Sequence, residues 1–208
     1  MALWSKKKKM GDMTPAEIRQ LVAEKYAEVA RAPRARHKFR VGADYARDLG
    51  YPAALLSGLP PALSEAFTGV SASLVALSDA KPGETILELG CGGGLDTALL
   101  AERVGPEGRV IGIDCAAAML ARSQANLRQL DHGNVSFFRT QAESLPLPDD
   151  SVDCVVSNGI FNLSADKDAI FNEIRRVLKP GGRTVNAEIV LRTEPSQAER
   201  DSQEDWFT

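Results

Sequence analysis

The chain has 208 residues, with 25 lysines and arginines against 28 aspartates and glutamates and a formal net charge of -3. That balance argues against a protein that holds nucleic acid on a generally basic surface, while 44% hydrophobic content is enough for one substantial core plus an appendage. No apolar run approaches the roughly 20 residues of a membrane-spanning helix, and residues 1–4 are too short for a signal-peptide core, so the expectation is a cytoplasmic enzyme domain with no membrane partner.

In chain order, the lysine run 6–9 reads as a solvated, flexible tail over residues 1–13. Thr14-Pro15 is a helix start, and Ile18, Leu21, Val22, Tyr26 and Val29 at helical spacing predict an amphipathic helix over 14–31. A second basic cluster follows at Arg31, Arg34, Arg36, His37, Lys38 and Arg40, readable as a solvated face or as an attractor of an anionic substrate. Glycine and proline then divide predicted helices at 43–49, 52–57 and 62–77, so residues 14–80 form a helical front end. After Pro82 the pattern alternates, with strands expected at 84–89, 109–113, 134–138, 152–157 and 183–190. Alternation of this kind predicts an α/β fold with a mainly parallel, doubly wound sheet and helices on both faces.

The stretch 83–96, GETILELGCGGGLD, is a short apolar strand that ends in Glu88 and breaks into Gly90, Gly92, Gly93 and Gly94. Glycines there let the backbone turn sharply and approach a ligand that a Cβ would exclude, and Asp96 is placed to cap the helix that follows. The second strand ends in Asp114, about twenty residues beyond the loop, where a carboxylate can accept both hydroxyls of an adenosine ribose. The bland alternatives are a simple turn at 92–94 and a helix N-cap at Asp114 for a helix over 116–130. Glu88 suits the amino group of a methionine moiety and opposes the pyrophosphate of NAD, which favours S-adenosylmethionine and disfavours an NAD-dependent oxidoreductase. Ser157 and Asn158 end the fourth strand on the side where open α/β sheets place their ligands.

From Lys81 to about Glu194 the chain resembles the class I S-adenosylmethionine-dependent methyltransferases, and more narrowly the arsenite methyltransferase-like (methyltransferase type 11) branch. The segments KPGETILELGCGGGLD, VGPEGRVIGIDCAAAML, AESLPLPDDSVDCVVSNGIFNLSADK and EIRRVLKPGGR carry it, in that order. The resemblance implies a Rossmann-like body over 81–194. It implies that Glu88, Gly90, Gly92 and Gly94 hold the methionine end, Asp114 the ribose, and Met119 the adenine or ribose. Gln141 and Ala142 stand where the family has Asp-Ala against adenine; the Gln141 amide oxygen can still accept from the adenine amino group. Glu143 is expected to orient that loop, and Cys91 and Cys115, ending neighbouring strands, complete the cofactor lining. Residues 14–80 would be a lid, with Tyr51 as its foremost site residue. Tyr51 and Asn158 are the catalytic candidates, Tyr51 having a packing role as its alternative.

Arsenite methyltransferases bind the metalloid through thiolates at three places where this chain has none; Gly159 stands at the middle one. Cys154 reads as inert core, and no metal site is expected. The reading is therefore methyl transfer to another small-molecule acceptor, with cofactor binding without transfer as the alternative. Beyond Val190 too few residues remain for the family's antiparallel strands. Either the chain is then a truncated member, or the fifth strand is an edge that pairs with a second copy as a homodimer or is covered by the tail 195–208.

Overall fold

The computed structural model describes residues 8–130, 132–203 and 207; Lys6, Lys7, Trp206 and Thr208 lie outside the described residues. Five parallel strands, β1 (Thr85–Leu89), β2 (Arg109–Asp114), β3 (Val135–Arg139), β4 (Val152–Asn158) and β5 (Leu178–Ala187), form one sheet in the order β3-β2-β1-β4-β5. The chain moves outward one way through β3 and then crosses back to β4. The crevice at the C-terminal ends of β1, β2 and β4 is thus the switch point where such sheets bind ligands. β1, β2 and β4 are apolar and buried on both faces, as a covered parallel sheet requires.

Nine α-helices are described. α1 (Pro15–Arg31) begins with a capping box, in which the Thr14 hydroxyl accepts from Glu17 N–H and the Glu17 carboxylate accepts from Thr14 N–H. α2 (Ala43–Asp48), α3 (Ala53–Gly58), α4 (Pro61–Glu65) and α5 (Leu74–Leu77) complete the front end. α6 (Leu95–Val104), α7 (Ala117–Leu127) and α8 (Lys167–Val177) cover the sheet, and α9 (Gln197–Asp201) lies near the end.

Four expectations are corrected. The helix expected over 62–77 is broken into α4 and α5, because the amides of Val70 and Ser71 are taken by the Asn158 side chain rather than by a helical ladder. Gly94, at φ +89°, caps α6; Asp96 lies in its first turn with its carboxylate turned into the protein. β5 begins at Leu178, passes an irregularity at its start, and ends at Ala187 rather than continuing to 190. Beyond it Glu188 turns under β4's loop, accepting from Ile160 N–H and Phe161 N–H at 2.8 and 2.9 Å. Finally, the described residues of the tail pack on the N-terminal segment and α1 rather than on the β5 edge. Asp201 pairs with Lys9 at 2.6 Å, and Gln203 donates to the Lys8 carbonyl. The Phe207 ring packs on Tyr26. Ile189, Val190 and Leu191 are left exposed.

The front end is fastened to the body from two sides. From α7, Arg122 donates to the carbonyls of Ala30 and Ala62 and pairs with Glu65 at 2.7 Å. Asn126 bridges the carbonyls of Ala62 and Gly93 at 3.1 and 2.9 Å, tying α4 to the glycine loop. At the other side Tyr51 O–H donates to Asp96 Oδ1 at 2.5 Å, and the Asn158 amide donates to Asp96 Oδ2 at 2.9 Å.

Candidate cofactor site

The crevice holds two chambers that share Thr68, Gly90, Gly92 and Asn158. The larger encloses about 750 Å3, its open mouth included, within the size range of small-molecule sites. Asp114, Cys115, Gln141, Ala142 and Glu143 line it, with α1 across the top. The smaller, about 350 Å3, lies between the glycine loop and the 66–69 loop and is lined by Glu88, Cys91 and Asp96.

Glycine is required where the loop bends. Gly90 has φ +73°, and a Cβ there would run into Ile160. Gly92 has φ +51°, with nothing within 4 Å of where its Cβ would be, so its bare backbone faces open space. Gly94 backs instead onto Ser123 and Leu127 of α7, where a Cβ would lie 2.8 Å from a Leu127 methyl. Its place is helix packing rather than the cleft wall.

The electrostatics are one-sided. Asp114 Oδ2 accepts from Gly92 N–H at 3.0 Å and Oδ1 from Ala116 N–H at 2.8 Å, so one carboxylate orders both the glycine loop and the start of α7. Burial raises it from the ordinary 3.8 to about 6, against the pull of those two amides. Glu88 is 3% exposed and accepts from the Thr97 hydroxyl. Burial, and then the neighbouring charge of Asp96, raise it as well. Asp96 is raised by burial and drawn back by Tyr51 and Asn158. None of the three carboxylates has a cationic side chain within ion-pair distance among the described residues.

A stability prediction follows from Asp114. Its folded-state value lies above its unfolded value, so its contribution is fully present below about 4 and is lost as pH rises through about 6. Chemical denaturation between pH 4 and 7 should show the Asp114→Asn variant gaining on the wild type as pH rises. A stability difference that stays flat across that interval would refute it.

The sequence-predicted residues divide clearly. Glu88, Gly90, Cys91, Gly92, Asp114, Cys115, Gln141, Ala142, Glu143 and Asn158 come together around the two chambers. Met119 does not; it is fully buried among Val29, Ala30, Ala66 and Ala116 under α1. Ser157 is likewise fully buried and donates to Asn186 at 2.9 Å. Tyr51 lines neither chamber and packs edge-on against Phe67, 5.1 Å between centroids. Asn158 reaches the cleft, yet both its polar atoms are engaged. Oδ1 accepts from Val70 and Ser71 at 2.7 and 3.1 Å, and Nδ2 donates to the Ser71 carbonyl and to Asp96, each at 2.9 Å. Glu143 accepts from the Ser164 hydroxyl at 2.6 Å. Sequence reasoning missed Arg19, Thr68, Thr140 and Leu163 as lining residues. Arg19 alone had a signal, as a charged residue in phase with the apolar Val22 and Tyr26. It also missed Glu188, whose Oε2 is buried with no hydrogen-bond partner among the described residues.

A five-stranded parallel sheet with a glycine loop after β1 and an acid ending β2 defines a Rossmann-like nucleoside site. Residues 80–207 match the profile of the family described as a methyltransferase domain. An arsenite methyltransferase of Halobacterium salinarum is 33% identical over 202 residues, 87% of this chain and 49% of that protein. A ubiquinone/menaquinone biosynthesis C-methyltransferase of Hahella chejuensis is 39% identical over 122 residues, 57% of this chain and 48% of its own length. Among solved structures, an arsenic (III) S-adenosylmethionine methyltransferase from Chlamydomonas reinhardtii superposes with a TM-score of 0.62 at 30% identity, over 70% of this chain and 50% of that one. The chain belongs to the class I S-adenosylmethionine-dependent methyltransferase family. It spans about half or less of the length of the curated relatives it matches.

Proposed function

We propose that this chain binds S-adenosylmethionine and transfers its methyl group to a small-molecule acceptor. The observation that carries the reading is the set of buried carboxylates, Glu88, Asp96 and Asp114, around a glycine-walled cleft, none of them with a cationic side chain within ion-pair distance among the described residues. Such a site fits a ligand that brings a nucleoside diol and positive charge of its own. When bound, the cofactor supplies an electrophilic sulfonium methyl. Asp114 accepts from the ribose hydroxyls, Gln141 and Ala142 face the adenine, and Glu88 serves the ammonium of the methionine end. Glu143, fixed by Ser164, holds the adenine loop. Tyr51 and Asn158 are positioning residues in this reading, since both are committed to Asp96 and to the lid loop. Their work is to hold the front end closed, which keeps water out and keeps the acceptor near attack distance, roughly 3–3.5 Å.

Arsenite is not the favoured acceptor, although two of the similar proteins carry that activity in their names. A metalloid needs thiolates, and burial pushes the Cys115 thiol up to about 12 and the Cys154 thiol up to about 11, with Cys91 well above its ordinary value. Gly159, where the relatives' branch places a thiol, has φ +84°, a conformation that suits glycine and strains cysteine. Among the described residues no group of three His, Cys, Asp or Glu side chains is arranged to hold a metal.

Calorimetric titration with S-adenosylmethionine, S-adenosylhomocysteine and NAD tests the reading, followed by transfer of labelled methyl to an acceptor panel that includes arsenite. Expected are binding of the first two, no binding of NAD, and no transfer to arsenite. A folded chain that binds neither sulfur compound overturns the proposal. Binding without transfer to any acceptor would point to a cofactor-binding role instead.

A further inference from the structure

α1 lays three residues across the cleft at i, i+3 and i+7, Arg19, Val22 and Tyr26, so they form one stripe on one face of the helix. The stripe is graded. A guanidinium stands at one end, an apolar contact in the middle and a phenol at the other, roughly 10 Å along the axis. Arg19 is the one cationic side chain that lines either chamber among the described residues. It makes no ion pair or side-chain hydrogen bond among them. Arg122 of α7, by contrast, is held by Glu65 and by the carbonyls of Ala30 and Ala62. Arg19 is half-buried, with a guanidinium that no protein group engages among the described residues, and it shares its chamber with the apolar Ile160, Leu163 and Ile170, a combination that suits a planar anion attached to an apolar body.

The geometry points to Arg19 as the anchor for an anionic group on the methyl acceptor. On this inference, which rests on the methyltransferase reading above, the acceptor is an amphipathic organic anion such as a carboxylate. The cofactor's methionine end belongs with Glu88 and Asp96 in the smaller chamber, which Arg19 does not line. Its adenosine shares the larger chamber with Arg19 but carries no anionic group for a guanidinium to pair with. The charges of the site are then complementary to two substrates at once. Buried carboxylates face the cationic donor, and the lid's guanidinium faces the anionic acceptor across the same cleft.

The test uses the full chain saturated with S-adenosylhomocysteine, into which acetate, benzoate and octanoate are titrated, each beside its neutral alcohol. At least one of the three anions should bind about tenfold or more tightly than its alcohol, the scale of a charge-assisted hydrogen-bonded pair. Arg19→Gln should abolish that preference and leave the affinity for S-adenosylhomocysteine within about twofold, while Arg19→Lys, which keeps the charge but loses the fork, should fall between. The proposal is overturned if no anion is preferred over its alcohol, or if the preference survives in Arg19→Gln. It is overturned equally if Arg19→Gln weakens S-adenosylhomocysteine as much as it weakens the anion, since the arginine would then serve the cofactor. Failure of the wild type to bind S-adenosylhomocysteine at all is a different result, and sinks the methyltransferase reading itself.

Discussion

Asp114→Ala should lower affinity for S-adenosylmethionine and S-adenosylhomocysteine about a hundredfold or more. Two hydrogen bonds from a ribose diol to a charged acceptor contribute about 1.5–3 kcal/mol each when one partner is ionised, and about 2.8 kcal/mol already corresponds to a factor of one hundred. A second contribution comes from the loop, because the same carboxylate accepts from Gly92 N–H at 3.0 Å and so fixes the backbone against which the ligand lies. Asp114→Asn should separate the two effects. Its amide oxygen can keep one backbone contact while the charge is gone, so binding falls without the loop being fully released. Global stability should respond far less than binding, for the buried charge that Asp114 imposes on the ligand-free protein offsets the amides it satisfies. Calorimetry on wild type and both variants decides this. Unchanged affinity in Asp114→Ala would place the adenosine elsewhere.

The parts of this protein legible in its sequence are those fixed by local chemistry. β1, its glycine loop and the acid ending β2 are adjacent in sequence to what they build, so their order and spacing, together with the family resemblance, point to the nucleoside crevice. α1 was legible from its Thr14-Pro15 start and apolar phase. What was hidden depends on side chains arriving from far along the chain. The periodicity of 62–77 is helical, yet Asn158 reaches across the fold to take two of its amides, and the helix gives way. Asp96 stands at an N-cap position in sequence but is drawn inward by Tyr51 and Asn158, leaving the left-handed turn at Gly94 to begin α6. Met119 matches a cofactor-contacting position by motif, but α1 lies over α7 and seals it away. Arg19 is the converse, a residue without any motif that becomes part of the cleft only once α1 has docked.

The same Asn158 offers the sharpest separation between a chemical and a structural role. Asn158→Ala removes four hydrogen bonds at one stroke, two accepted from the amides of Val70 and Ser71 and two donated to Ser71 and Asp96. Asp96 keeps Tyr51 as a donor, so the buried carboxylate is not abandoned, but the amides of Val70 and Ser71 lose their only acceptor among the described residues. Each unsatisfied group costs about 1–3 kcal/mol if it stays buried. Both residues are only half-buried, so the loop should escape that cost by opening to water. Hydrogen exchange at Val70 and Ser71 should therefore quicken by about 10- to 100-fold, with a smaller change in global melting. Affinity for S-adenosylhomocysteine should weaken by the fraction of time the loop is open. Asn158→Asp should be worse than alanine, because it sets a second carboxylate against Asp96 in a buried site, where like charges repel. A purely catalytic Asn158 would behave otherwise: methyl transfer would fall while exchange at Val70 and Ser71 stayed as slow as in the wild type.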